Sequence, residues 1–184
     1  MSLQSRYGNW VSILRSGQRA TLREEGAFLF IRTQDDVFII QIDGGVIPNE
    51  IQNQLSCDFL IHNSVHKWTR LVELKGVDVE HACDQIRATI IFAEHDEDLK
   101  GILDDMDLLK GYIVSPHFNV PDISNTHRTK VCQKLYDKSK HKLKTLFHHL
   151  VFVRCVPKNP GRSMDRSDND STKITVYNEH PLLV

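Results

Sequence analysis

The stretch Cys57–Gly76, CDFLIHNSVHKWTRLVELKG, decides the reading of the fold. It holds two strand-length apolar runs, Cys57 to Ile61 and Trp68 to Lys75, separated by the polar HNSVHK. Both runs are rich in residues that suit a pleated surface, yet each carries charge: Asp58 in the first, Glu73 and Lys75 in the second. A carboxylate or ammonium withdrawn from water without a partner is costly, so buried charges are paired or bound to metal. Side chains alternate across a strand. Glu73 and Lys75 therefore share one face with Leu71, while Val72 and Leu74 point to the other, and Asp58 shares a face with Leu60. Paired as a hairpin, the two runs bring Asp58, Glu73 and Lys75 together.

Downstream, Gly76 closes the second strand and Asp78 caps a helix through VEHACDQIRATIIFAEH, whose Val79, Ala82, Ile86, Ile90 and Ala93 recur at helical spacing. An acidic amphipathic helix follows, with Leu99, Ile102, Leu103 and Met106 on its apolar side. GYIVSPHF reads as a strand, Thr126 to Leu150 as one long helix, and LVFVRCV and KITVYN as strands around a polar loop. Upstream, a short helix is expected around Trp10 to Leu14. AFLFIRTQDDVFIIQID is expected as a hairpin turning at Thr33 to Asp36, within residues 27–43, and one short helix is expected after Pro48.

The whole forms an α/β domain of 184 residues, a central mixed sheet flanked by helices, with its core motif in residues 57–92 and a basic helix and strands in residues 126–184. A composition 40% hydrophobic and 26% charged is that of a globular protein, not a disordered or fibrous one. No apolar run approaches the ~20 residues that cross a bilayer, and the N-terminus lacks a signal-peptide pattern, so a cytoplasmic protein with no membrane contact is expected. Cys57, Cys83, Cys132 and Cys155 stand singly, without zinc-site or disulfide spacing, and read as buried free thiols.

The net charge of −1 conceals two opposed blocks. Residues 94–107 are acidic, and residues 128–144 carry Arg128 and a series of lysines. In a helix, Lys130, Lys134, Lys138, Lys140 and Lys144 lie opposite an apolar arc, a lysine face able to follow phosphates with salt-sensitive affinity. Lys130, Lys134 and Lys138 are the residues expected on nucleic acid, and the acidic helix offers a surface for a partner protein. His62, His148 and His149 lack flanking ligands and read as structural or surface histidines. No glycine loop of the P-loop type and no nucleophile elbow is present.

Two carboxylates converging with a lysine make a hard-oxygen site suited to Mg²⁺ or Mn²⁺ and to metal-assisted hydrolysis. Asp58, then VELKG with Glu73 and Lys75, then a helix bearing Gln85, resembles the PD-(D/E)XK nuclease superfamily, the restriction-endonuclease-like fold. The resemblance covers Cys57 to about Phe92. It implies Asp58, Glu73 and the carbonyl of Leu74 as metal ligands, Lys75 as the catalytic lysine and Gln85 as a helper. Cys57 stands where many members have proline, and the acid that many members carry on an N-terminal helix has three candidates, Glu24, Glu25 and Glu50. The resemblance further implies a Mg²⁺- or Mn²⁺-dependent deoxyribonuclease and, by analogy with nucleases that cut both strands, a homodimer. The alternative is a silent module of the same fold that binds nucleic acid or a protein.

Overall fold

The computed structural model describes residues 3–24, 26–47, 54–75, 78–104, 107–116, 125–140, 143, 145–157 and 172–184. The hairpin predicted from Cys57–Gly76 is present. Strands β5 (Phe59–Asn63) and β6 (Trp68–Leu74) pair antiparallel, with Leu60 opposite Leu71 and Phe59 opposite Val72. Asn63 builds the turn. Its Oδ1 accepts from the N–H groups of Val65 and His66 at 2.9 and 2.7 Å, and Lys67 takes a left-handed φ of 49°.

Strands β1 (Val11–Leu14) and β4 (Val37–Gln41) extend the hairpin antiparallel on one side. On the other side β7 (Leu108–Ser115), β8 (Leu150–Val156) and β9 (Lys173–Tyr177) add in parallel, giving a seven-stranded mixed sheet in the order β1-β4-β5-β6-β7-β8-β9. Between β6 and β7 run helices α2 (Val79–Ala93) and α3 (Glu97–Asp104), and between β7 and β8 runs α4 (Asn125–Lys138). Parallel strands added stepwise in one direction by crossovers of one hand place their helices on one face. The buried side chains of α2, α3 and α4 accordingly join Leu60, Leu71, Leu109 and Ile113 in a single cluster. Gly111 permits the close approach. A Cβ there would lie 3.0 to 3.3 Å from methyl groups of Leu150, Leu135 and Ile86.

The opposite face is covered by a three-stranded sheet, in which β3 (Ala27–Arg32) lies between β2 (Arg19–Glu24) and the short β10 (Leu182–Leu183). Leu22, Leu29, Ile31 and Leu182 from this sheet pack with Ile61, Val72, Val114 and Val153 from the larger one. The helix layer is thus matched on the other side by a second sheet.

Several local expectations are met. Asp78 caps α2 by accepting from His81 N–H at 3.0 Å, and Val79, Ala82, Ile86, Ile90 and Ala93 are all buried. Helix α3 buries Leu99, Ile102 and Leu103. Three others are corrected. The apolar runs within residues 27–43 do not form a hairpin: β3 and β4 belong to different sheets and meet face to face, sharing a core through Leu29, Ile31, Val37 and Ile39. The N-terminal helix α1 lies earlier, at Leu3–Tyr7, and Val11–Leu14 is a strand because Val11 and Leu14 are needed as buried edge residues. The basic helix stops at Lys138. Ser139 follows, buried, its hydroxyl bonded to the Leu135 and Leu109 carbonyls, and the chain returns through a short 3₁₀ turn at Leu146–His149 into β8. Strands β2 and β10 had no counterpart in the sequence reading. The helix expected after Pro48 falls outside the described residues.

Candidate functional site

Asp58 precedes β5 and Glu73 stands next to last in β6, so both carboxyl groups come to one end of the hairpin. Asp58 is 5% exposed and Glu73 1%. Asp58 is fastened on both sides: its carbonyl accepts from Ile42 N–H at 2.8 Å, and its Oδ2 accepts from Leu74 N–H at 2.6 Å. Glu73 is less well provided. Its Oε1 lies 3.6 Å from the Nζ of the partly exposed Lys75, while its buried Oε2 has no hydrogen-bond partner among the described residues.

Burial is the main force on both acids. It pushes Asp58 up to about 7 against the Leu74 N–H bond, with the charges of Glu24 and Asp43 adding to the rise and Lys75 opposing it. It pushes Glu73 up to about 9, reinforced by the neighbouring charge of Asp58 and resisted by Lys75. Glu73 consequently holds a proton at neutral pH when no cation is nearby, and its contact with Lys75 becomes a full ion pair only when that proton leaves.

Helix α2 backs the site. Gln85 donates through Nε2 to the Ser56 carbonyl at 3.0 Å, and Thr89 Oγ1 accepts from Cys57 N–H at 2.7 Å. The buried Oε1 of Gln85 has no partner among the described residues. Ser56 Oγ in turn donates to Asp43 Oδ1 at 2.7 Å. A continuous network therefore runs from α2 through Ser56 to the turn after β4. That turn needs its glycines: Gly44 has φ +62°, and a Cβ on Gly45 would collide with the Gln41 carbonyl.

Asp43 and Ser56 were not singled out by the sequence. The signal available for Asp43 was an acid closing an apolar run before Gly44-Gly45, the same kind of sign that marked Asp58. Of the three candidates for a further acid, Glu24 ends β2 and its charge reaches Asp58, while Glu25 and Glu50 lie outside the described residues.

The donor chemistry fits a hard divalent cation. Burial and the charge of Asp58 raise the proton affinity of Glu73, and two buried oxygens, Glu73 Oε2 and Gln85 Oε1, lack partners among the described residues. No group of three or more His, Cys, Asp or Glu side chains among the described residues is arranged to hold a metal ion. The buried carboxyls of Asp58 and Glu73 stand at this end of the hairpin, and Gln85 Oε1 is a neutral buried oxygen without a partner among the described residues.

The lysines of α4 are placed differently from expectation. Lys134 Nζ lies 3.5 Å from Glu94, and Lys138 Nζ lies 3.5 Å from Glu94 and 3.0 Å from Asp104. The two opposed charge blocks thus face each other within the helix layer, and Lys130 stays exposed. Lys144 lies outside the described residues. Two of the histidines are held within the fold: His62 bonds Thr69 Oγ1 at 3.1 Å, and His149 Nδ1 donates to the Leu109 carbonyl at 2.9 Å. All four cysteines are free and buried, and burial pushes the Cys83 thiol up to about 12, which leaves it inert. Among the described residues, no helix is long and apolar enough to cross a membrane. No protein-family model, no curated protein and no solved structure matches the chain.

Proposed function

We propose that the chain is a Mg²⁺- or Mn²⁺-dependent nuclease of the PD-(D/E)XK type that hydrolyses DNA phosphodiester bonds. The observation that carries this reading is the meeting of two buried carboxyl groups, Asp58 and Glu73, beside Lys75 at one end of a hairpin, with Glu73 Oε2 unpartnered among the described residues. Asp58 and Glu73 would hold the cation, with Leu74 and Gln85 contributing neutral oxygens. When bound, the cation supplies charge for the phosphoryl oxygens and acidity for a bound water.

The chain's own groups then have distinct tasks. Leu74 N–H keeps one oxygen of Asp58 in place, so its carboxylate turns little when a ligand arrives. Lys75, partly exposed beside Glu73, would orient an attacking water and, in its neutral form, take its proton. Gln85 and Thr89 hold Ser56 and Cys57, which fixes the approach of the chain to Asp58. On α4, Lys130 alone of the three lysines is exposed and makes no salt bridge among the described residues, whereas Lys134 and Lys138 are engaged by acids.

Cleavage of linear, supercoiled and single-stranded DNA is to be measured with Mg²⁺, Mn²⁺ and Ca²⁺, with binding in parallel. Cleavage is expected with the first two cations, and binding without cleavage with Ca²⁺, whose larger and looser shell aligns water poorly. A protein that binds DNA, cuts none of these substrates with any cation and is unchanged by Lys75→Ala would be a silent binding module. One observation favours that second reading: Asp58 Oδ2 is already engaged by Leu74 N–H, as a structural acid would be.

A further inference from the structure

The outer face of the three-stranded sheet sets arginines beside two aromatic rings that also pack at the margin of the core. In the β2–β3 register, Arg19 lies opposite Arg32, Thr21 opposite Phe30, and Arg23 opposite Phe28. Alternation turns these side chains to the face opposite Leu22, Ala27, Leu29 and Ile31, which are buried inward, with Phe28 and Phe30 still in contact with the core. Arg19, Arg23 and Arg32 are exposed, and Phe28 and Phe30 are half-buried with ring centroids 5.1 Å apart. Like charges directly opposed across strands destabilise a sheet, and none of the three guanidiniums is in a salt bridge among the described residues. Beside Phe30 a cavity of about 150 Å³ opens, lined by Arg19, Thr21, Asn178 and Pro181, and Arg19 reaches the Asn178 carbonyl at 3.4 Å.

We infer that this face binds single-stranded nucleic acid, with bases stacked on Phe28 and Phe30 and phosphates neutralised by Arg19, Arg23 and Arg32. The charge of the face calls for a polyanion, and its rings call for flat apolar groups at the same place. A single strand offers both, because its bases present open π-faces, whereas a duplex keeps them stacked inside. One end of the face lies toward the candidate site, although the site's carboxyls stand on the helix side of the larger sheet with Leu60 and Leu71. The Arg23–Phe28 pair lies at the end of the sheet that carries Glu24, whose charge reaches Asp58. The inference deepens the nuclease reading by naming the form of substrate, and its binding test is independent of cleavage.

The probe is a fluorescent oligodeoxythymidine, titrated by anisotropy in EDTA at several salt concentrations beside a duplex of equal length. The single strand is expected to bind more tightly than the duplex. Phe28→Leu/Phe30→Leu keeps apolar volume but removes the π-faces, and is expected to weaken binding by at least roughly five- to 150-fold, the range of a single lost stack. Arg19→Gln/Arg23→Gln/Arg32→Gln alters only exposed side chains, and should lower the log–log salt slope by about 2, near 0.7 per phosphate contact on a single strand. Circular dichroism verifies that each variant is folded, and the arginine variant keeps the test valid should the phenylalanine pair unfold. Tighter duplex binding, equal displacement by polyglutamate, or wild-type affinity in both variants would overturn the inference. Impaired binding by the variants in a wild-type protein that cuts nothing would uphold the inference while removing the nuclease reading. Cleavage with unimpaired variants would do the reverse.

Discussion

The acids of α2 and α3 and the acids of the β5–β6 hairpin both face lysines, but with opposite consequences. Glu94 and Asp104 meet Lys134 and Lys138 at 3.0 to 3.5 Å, with all four side chains between 21% and 45% exposed. Burial pulls Lys138 down, yet Asp104 and Glu94 outweigh it and raise its proton affinity. Charge there is balanced and wet, a condition that adds little stability and leaves little to react. Asp58 and Glu73 share one partly exposed lysine, lie almost wholly out of water, and repel each other. An acid–lysine contact therefore becomes a candidate site only where burial leaves the negative charge under-compensated.

The same substitution in the two regions gives the widest separation. Lys75→Ala is expected to reduce cleavage by roughly 10²- to 10⁴-fold, the usual weight of a proton-transferring group, while metal binding measured by calorimetry persists. Lys138→Ala should leave the cleavage rate within about twofold, because removing a screened surface pair disturbs nothing near the reacting atoms. Equal losses in both variants would dissolve the contrast.

Proton linkage separates the regions next. On folding, Asp58 rises from 3.8 to about 7 and Glu73 from 4.5 to about 9. The folded chain thus holds more protons than the unfolded chain across that window. The stability this gives is complete below the unfolded values and is lost as pH rises through the folded ones, amounting to several kcal/mol. Thermal unfolding in EDTA should show a melting temperature that declines from about pH 5 to about pH 9. Saturating Mn²⁺ should flatten the decline, since a cation bound only by the folded carboxylates replaces the protons. A level profile in EDTA would contradict the burial of the pair. Lys138, raised by Asp104 and Glu94, titrates far above this window and adds no slope there.

Glu73→Gln sharpens the assignment within the hairpin. It keeps the shape but removes the group with the higher titration, so the decline in stability should end near 7, where Asp58 alone finishes titrating. Mn²⁺ affinity and cleavage should fall together in this variant. Retained affinity would move the ligand role elsewhere.

The smallest effect belongs to the lysine helix as a DNA contact. With Lys134 and Lys138 already engaged by acids, replacing Lys130, Lys134 and Lys138 together should lower the salt slope of duplex binding by only about 0.9, one phosphate contact. A slope lowered by nearly three times that amount would show that the ion pairs open on DNA.

Much of the hairpin and its helix could be read from residue order. Period-two alternation placed Leu60 with Leu71, and helical spacing found the buried side of α2, because each pattern repeats within one element. The β3–β4 segment was misread for the same reason: two apolar runs joined by a polar turn look alike whether they pair edge to edge or face each other across two sheets. The end of α4 was misread because Leu143, Leu146, Phe147 and Leu150 continue an apolar arc, while Ser139 and the 3₁₀ turn break it only in three dimensions.

By itself, the order of residues determined that Asp58, Glu73 and Lys75 come at one end of two adjacent strands before a capped helix, since side-chain alternation and capping are local physics. Only the tertiary structure decided that Asp43 and Glu24 bear on the same carboxyl, that the acidic block meets Lys134 and Lys138, and that a second sheet turns its arginines and phenylalanines outward. Those outcomes depend on which distant segments compete to cover the same apolar surface. Coulombic forces act through that final arrangement, across intervals of sequence that no local pattern records.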